Sequence, residues 1–157
     1  MIANIDVVME TVKDKEIIKE LLLFFDPIFP HLREKITSYD EYAEKLSSCA
    51  NVIVCKVRNE IAGILVYYAN DLINKTAYIS LIGVCAKWQG KAISSALLDY
   101  CIRESLLQKM HFIKLEVDLD NSRAIRFYLK NGFEKCDNNG EYSIYMRKVI
   151  NESKEKK

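Results

Sequence analysis

The chain is poor in glycine and poorer still in proline, with five Gly and two Pro among 157 residues. That scarcity excludes collagen-like chains and extended linkers. It also lacks an excess charge of either sign: 23 Lys and Arg stand against 22 Asp and Glu, for a net +1. Without a basic surplus there is no electrostatic footprint for nucleic acid and no polybasic membrane surface, so neither partner is expected. Long apolar runs are missing too. The longest, Ile61–Ala69, tolerates Gly63 and is far short of the roughly 20 residues that a spanning helix needs. The N-terminal MIANIDVVMETVKDKE shows no basic segment leading into an apolar one, so no secretory leader is expected. Cysteines number five, an odd count with no C-x-x-C pair, and most sit among apolar residues. They are expected to be reduced core side chains, with no metal site. A soluble cytoplasmic protein follows as the expectation.

What is present is ordinary globular material, half hydrophobic and 29% charged. The length suits one domain of roughly 100–200 residues. Residues 1–150 are expected to form it, and 151–157 (NESKEKK) a disordered polar tail. Asn4–Thr11 reads as a strand. Asp14–Phe25 carries Ile17, Ile18, Leu21, Leu22 and Phe25 at helical spacing, and Pro27 and Pro30 end it. Ser38–Cys49 predicts a second helix on Tyr42, Ala43 and Leu46. Val52–Val57 and Ile61–Tyr68 predict a hairpin closed at Arg58-Asn59-Glu60, one whose strands could offer an edge to a second copy. Asn70–Lys75 reads as a loop and Ala77–Val84 as a buried strand. A helix follows to near Met110, with Ile93, Ala96, Leu97, Tyr100, Cys101 and Leu107 on one face, and then the strand Phe112–Val117. Asn121–Asn131 is a helix capped by Asp120 or Asn121 and stopped at Asn131-Gly132. Phe133–Cys136 and Tyr142–Arg147 end the chain as strands around Asn138-Asn139-Gly140. The order implies an α/β fold: a mixed sheet of six to seven strands flanked by about four helices.

Two stretches carry chemistry. In Val84-Cys-Ala-Lys-Trp-Gln-Gly-Lys-Ala-Ile-Ser-Ser-Ala-Leu-Leu98 a buried strand ends, a turn of small residues follows, and a helix begins. The first amides of a helix lack internal partners and lie at the positive end of its dipole. Gly90 lets an anion approach the backbone, Lys91 adds a cation, and Ser94 and Ser95 add hydroxyls. On these residues alone the turn reads either as a phosphate cradle or as an ordinary strand–helix junction.

The second stretch runs from Leu115 to Phe133. Asn121, Ala124, Phe127-Tyr128 and Gly132-Phe133 resemble the N-x-x-A-x-x-F-Y-x-x-x-G-F pattern of the GNAT family of acetyl-CoA-dependent N-acetyltransferases. The first stretch is similar to that family's acyl-CoA loop, and the two stand in the family's order and spacing. The loop departs from the family at two customary glycines, which here are Ala92 and Ser94. Ala92 fits with a negative φ, as expected in a turn leading into a helix; Ser94 either donates to a pyrophosphate or, like Ala92, crowds it.

The resemblance implies a GNAT-like sheet whose strands splay at an acetyl-CoA site. Pantetheine would pair with the backbone of Ile82, Gly83 and Val84, as an added strand does. Pyrophosphate would lie on Gln89, Gly90, Lys91, Ala92, Ile93, Ser94 and Ser95. Asn121 would bond the pantetheine arm, and an amide near Val84 or Cys85 would polarise the thioester. Tyr128 holds the family's general-acid position, close enough to the cofactor to count among its ligands. Glu116 is the candidate base, its competing reading an ion pair with a neighbouring Arg or Lys; Tyr78 and Ser80 could instead line a water chain. Asn70-Asp71 offers a carboxylate to a cationic amine. An acyl-cysteine on Cys85 has no adjacent His to activate it. The acceptor is an amine of a small molecule, an amino sugar or a peptide N-terminus, and a homodimer is possible. The alternative is a catalytically weak or inactive acyl-CoA-binding or interaction module.

Overall fold

The computed structural model describes residues 6–151. Asn4 and Ile5 of the expected first strand, and 152–157 of the expected tail, lie outside the described residues. Among the described residues the elements run in order: β1 (Val7–Val12), α1 (Lys15–Phe24), a 3-10 turn (Asp26–Ile28), α2 (Leu32–Lys35), α3 (Tyr39–Cys49), β2 (Asn51–Val57), β3 (Glu60–Asp71), β4 (Thr76–Val84), a second 3-10 turn (Ala86–Trp88), α4 (Ile93–Leu107), β5 (Phe112–Asp118), α5 (Ser122–Lys130), β6 (Glu134–Asn139) and β7 (Ser143–Val149). The strands form one seven-stranded sheet in the order β1-β2-β3-β4-β5-β7-β6. The β2–β3 hairpin is therefore interior, and the expectation that it offers an edge is corrected: the edges are β1 and β6. No helix among the described residues is long and apolar enough to cross a membrane.

The chain packs as two compact units. One comprises Met1–Tyr67 and Leu81–Cys101. Its helices start where short polar side chains satisfy the first amides: Asp14 Oδ1 accepts from the N–H of Glu16 at 2.8 Å, and Ser38 Oγ accepts from that of Glu41 at 3.1 Å. α1 packs on α3. Ile18, Leu22, Phe25, Leu46, Ile53, Ile64 and Leu65 are fully buried, each contributing roughly 1.5–3 kcal/mol by leaving water. The hairpin turns on Arg58 and Asn59, both at positive φ (51° and 69°). Such a pair makes the two-residue turn that matches strand twist. The sequence does not forecast the 3-10 turn or α2 between α1 and α3. They are held by a polar knot: Arg33 donates to both oxygens of Asp26 (2.9 and 2.6 Å), and the Tyr39 hydroxyl donates to the same carboxylate.

The second unit comprises Tyr68–Ser80 and Ile102–Lys157. In β5, Ile113, Leu115 and Val117 are buried while Phe112, Lys114, Glu116 and Asp118 are half-buried, the period-two pattern of a strand with one core face. Two expectations give way here. β3 continues through Asn70, and the Asp71 carboxylate accepts from the backbone and side-chain N–H of Asn74 (3.0 and 3.1 Å). Those bonds lower its pKa and tie the carboxylate into the turn. α4 stops at Leu107, which is 71% exposed, because Lys109 takes φ +69° and the Met110 N–H returns to the Ser105 carbonyl at 3.0 Å.

Candidate active site

Within the first unit, β4 leads through the Ala86–Trp88 turn into α4. The Cys85 N–H donates to the Ala62 carbonyl at 2.9 Å. It is therefore committed to β3 and cannot polarise a thioester, which corrects one half of the sequence expectation. Alternation along an extended chain turns the Val84 amide to the opposite edge. The Val84 carbonyl accepts from Gln89 Nε2 at 3.1 Å, so Gln89 braces the turn against the strand end. Trp88 is buried, with Lys87 Nζ 5.5 Å from its ring centroid. Lys87 also bonds both Glu60 oxygens (3.0 and 2.9 Å) and lowers that carboxyl's pKa.

Gly90 has φ +77° and Ala92 φ +65°. The expectation of a negative φ at Ala92 is thus overturned. The turn needs the left-handed conformation where the related family customarily places glycine, at a cost of roughly 1–2 kcal/mol for an L side chain. The Ala92 carbonyl accepts from the Ala96 N–H at 3.2 Å. Ala92 is therefore the cap, and the amides of Ile93, Ser94 and Ser95 precede the first helical bond. No acid lies in the first turn of α4, Lys91 and Ala92 are exposed, and a Cβ on Gly90 would meet nothing within 4 Å. Open space at Gly90, helix amides that precede the first internal bond and a nearby cation fit a pyrophosphate. Gly83 is different: a Cβ there would lie 2.6 Å from Phe29 Cζ and 3.0 Å from Ile28 Cγ2, so this glycine is what admits the α1–α2 segment onto β4. The sequence offers Phe29 only as one of several aromatics that could line an acceptor pocket, and no motif points to Ile28; the tight approach to Gly83 reveals both.

Cys85 is half-buried, burial raises its pKa, and its Sγ lies 3.5 Å from the Ile61 carbonyl. It behaves as a packing group, not as a nucleophile.

The second unit holds the remaining candidates. β4 pairs with β5 from Thr76–Phe112 to Ile79–Leu115, and both strands run on beyond that register. Tyr78 and Ser80 of β4 are half-buried. Glu116, opposite Tyr145 of β7, accepts a hydrogen bond from the Ser143 hydroxyl at 2.6 Å. No motif pointed to Ser143. Asn121 caps α5, its Oδ1 accepting from the Ala124 N–H at 3.2 Å; its NH2 is the group it can offer a ligand. α5 ends in a Schellman motif. The Phe133 N–H reaches the Tyr128 carbonyl (3.0 Å), the Gly132 N–H reaches that of Leu129 (3.2 Å), and Gly132 has φ +91°. That geometry folds Phe133 back onto Tyr128, with ring centroids 5.3 Å apart and an interplanar angle of 62°. Tyr128 is 6% exposed. The Phe-Tyr spacing before Gly-Phe is thus also a packing device that fixes the tyrosine ring.

The sequence pattern of the Acetyltransferase (GNAT) family matches residues 15–133. Among curated proteins none matches the chain. Arabidopsis thaliana Naa50, solved in complex with the bisubstrate analogue CoA-Ac-MVNAL, is 23% identical over 91% of this chain and 98% of its own, with a TM-score of 0.74. A putative acetyltransferase of the GNAT family from Desulfovibrio desulfuricans is 15% identical over 92% and 99%, at 0.73. A GNAT family acetyltransferase from Elizabethkingia anophelis with acetyl-CoA bound is 20% identical over 94% and 99%, at 0.69.

Proposed function

Because the chain belongs to the acetyltransferase (GNAT) family of acetyl-CoA-dependent acyltransferases, we propose that it moves an acetyl group directly to a primary amine. The acceptor belongs to a small molecule, an amino sugar or a peptide N-terminus. The observation that carries this reading is the left-handed turn at Gly90 and Ala92, which opens onto the free first amides of α4. Acetyl-CoA supplies the acyl group as an activated thioester. Ile82, Gly83 and Val84 offer backbone groups to the pantetheine arm, as a sheet edge does to an added strand. Gln89–Ser95 hold the diphosphate with amides, Lys91 and the two serine hydroxyls, and Asn121 adds its NH2. The Val84 N–H takes the polarising role that Cys85 has lost.

Direct transfer needs an amine made neutral and a thiolate that can leave. Glu116 accepts the amine's proton. Tyr128 returns one to the departing sulfur, a phenol's usual pKa of about 10 being close enough to a thiol's roughly 8.5 for efficient donation. A cytoplasmic location and a possible homodimer, with β1 or β6 as the available edge, complete the proposal; neither nucleic acid nor a membrane has a place in it.

The test follows free thiol from acetyl-CoA across peptides with free N-termini, amino sugars and small amines. Release with one class is expected. At 100 times its Kd, acetyl-CoA adds about 2.7 kcal/mol of stability. A thermal shift without release for any acceptor would favour the binding-module alternative, to which the strained Ala92 and the added Ser94 side chain lend support. No shift at millimolar acetyl-CoA would end both readings.

A further inference from the structure

We propose that Ser143 is the positioning residue for Glu116, holding its carboxylate charged and in one orientation so that it can accept the amine's proton. The proposal rests on the reading of Glu116 as the base. Ser143 opens β7 and is 5% exposed, one of two polar residues among the described ones to be so deeply buried. Its backbone stands opposite Asp118, one pleat along from Glu116, and its hydroxyl crosses the diagonal to donate to Glu116 Oε2 at 2.6 Å. That separation is typical of a hydroxyl bonded to an ionised carboxylate. A donor to the charged form lowers a carboxyl pKa, and it does so more strongly where water is scarce.

The other charged and titratable groups on this face are spread over four strands. From β5 come Lys114 and Asp118, from β7 Tyr145 and Arg147, from β6 Asp137, and from β4 Tyr78. Lys114 is drawn to the Tyr145 ring (4.6 Å) and to Asp137 (3.8 Å), and Arg147 stacks on Phe112 at 4.5 Å. Asp118 is a like charge that would push Glu116 toward its neutral form. Ser143 offsets that push with a side chain too short to swing away.

The experiment is a pH titration of the full chain carrying 13C-labelled glutamate carboxyls, read by NMR, with Glu116→Gln identifying the resonance. Ser143→Ala is expected to raise the Glu116 midpoint by about one pH unit, a roughly tenfold change in its ionisation constant. Ser143→Thr should stay near the parent value. Ser143→Cys, similar in volume with a weaker donor, should fall between and serves if the alanine variant does not fold. If Ser143→Ala or Ser143→Cys titrates with the parent chain, the proposal is wrong. The base reading fails separately: acetyl transfer by Glu116→Gln at the parent rate and with the parent pH profile would end it, whatever the midpoints show.

Discussion

The turn before α4 and the end of α5 both hold candidate site residues, and they are built in opposite ways. At the turn the device is backbone: Gly90 and Ala92 take left-handed φ, the space beside Gly90 is open, and the amides of Ile93, Ser94 and Ser95 precede the first helical bond. At α5, side chains do it: Tyr128 is clamped by Phe133 and Phe127, with ring centroids 5.3 Å apart in each pair. A backbone site constrains conformation and leaves residue identity loose, which is how Ala92 and Ser94 can replace glycines without loss of the turn. A side-chain site constrains identity, and there the Phe-Tyr and Gly-Phe spacing is intact.

The largest effect expected from breaking this contrast is chemical. Tyr128→Phe keeps the aromatic cluster and removes one hydroxyl, so the melting temperature should hold while turnover falls by about 100-fold or more. Steady-state thiol release together with a melting curve checks both halves. Next comes Gly132→Ala. The added Cβ would lie 2.6 Å from Lys148 Nζ and displace it from the Asn131 carbonyl (2.8 Å), and φ +91° in an L residue costs about 1–2 kcal/mol. For a chain of this size that is a fall of roughly 2–8 °C in Tm, measurable by calorimetry.

The mirror experiment at the turn should act with the opposite sign. Ala92→Gly relieves the left-handed strain but loosens the unfolded chain, for a net gain of up to about 1 kcal/mol. A Tm that falls instead would show that the Ala92 side chain is a wanted contact.

The smallest expected effect sharpens the comparison with a third site, the polar knot at Asp26. Arg33 and Tyr39 bonds lower its carboxyl from 3.8 to about 2. A depressed carboxyl contributes stability above its unfolded pKa and loses it as pH falls through the folded one. The parent chain should therefore lose stability between pH 4 and pH 2 more steeply than Asp26→Asn. Identical pH profiles from denaturant midpoints would remove the knot's role.

Most elements were legible because their signals are local. Asp120 or Asn121 announces a cap, Ile17, Ile18, Leu21 and Leu22 announce a helix by their spacing, and Gly132-Phe133 announces a helix stop. The left-handed φ of Ala92 was not legible: alanine carries no mark of a conformation that the surrounding turn imposes. Ser143 was invisible for a different reason. It reaches Glu116 across a strand pair from 27 positions away, and no sequence pattern encodes a diagonal contact. The commitment of the Cys85 amide to Ala62 likewise depends on pairing between strands. Local grammar specified the elements and most of the candidate ligands; non-local pairing decided which atoms remain free to act.

The most direct measurement is calorimetric titration of acetyl-CoA into the parent chain and into Gly90→Pro. Proline holds φ near −65° where the turn has +77°, yet Gln89 before it is already extended (φ −69°, ψ 148°) and position 90 is open to solvent. The fold should survive while the amides turn away, and Kd should rise by about 100-fold, or ~2.7 kcal/mol. An unchanged Kd in a folded Gly90→Pro chain would contradict a backbone cradle at this turn.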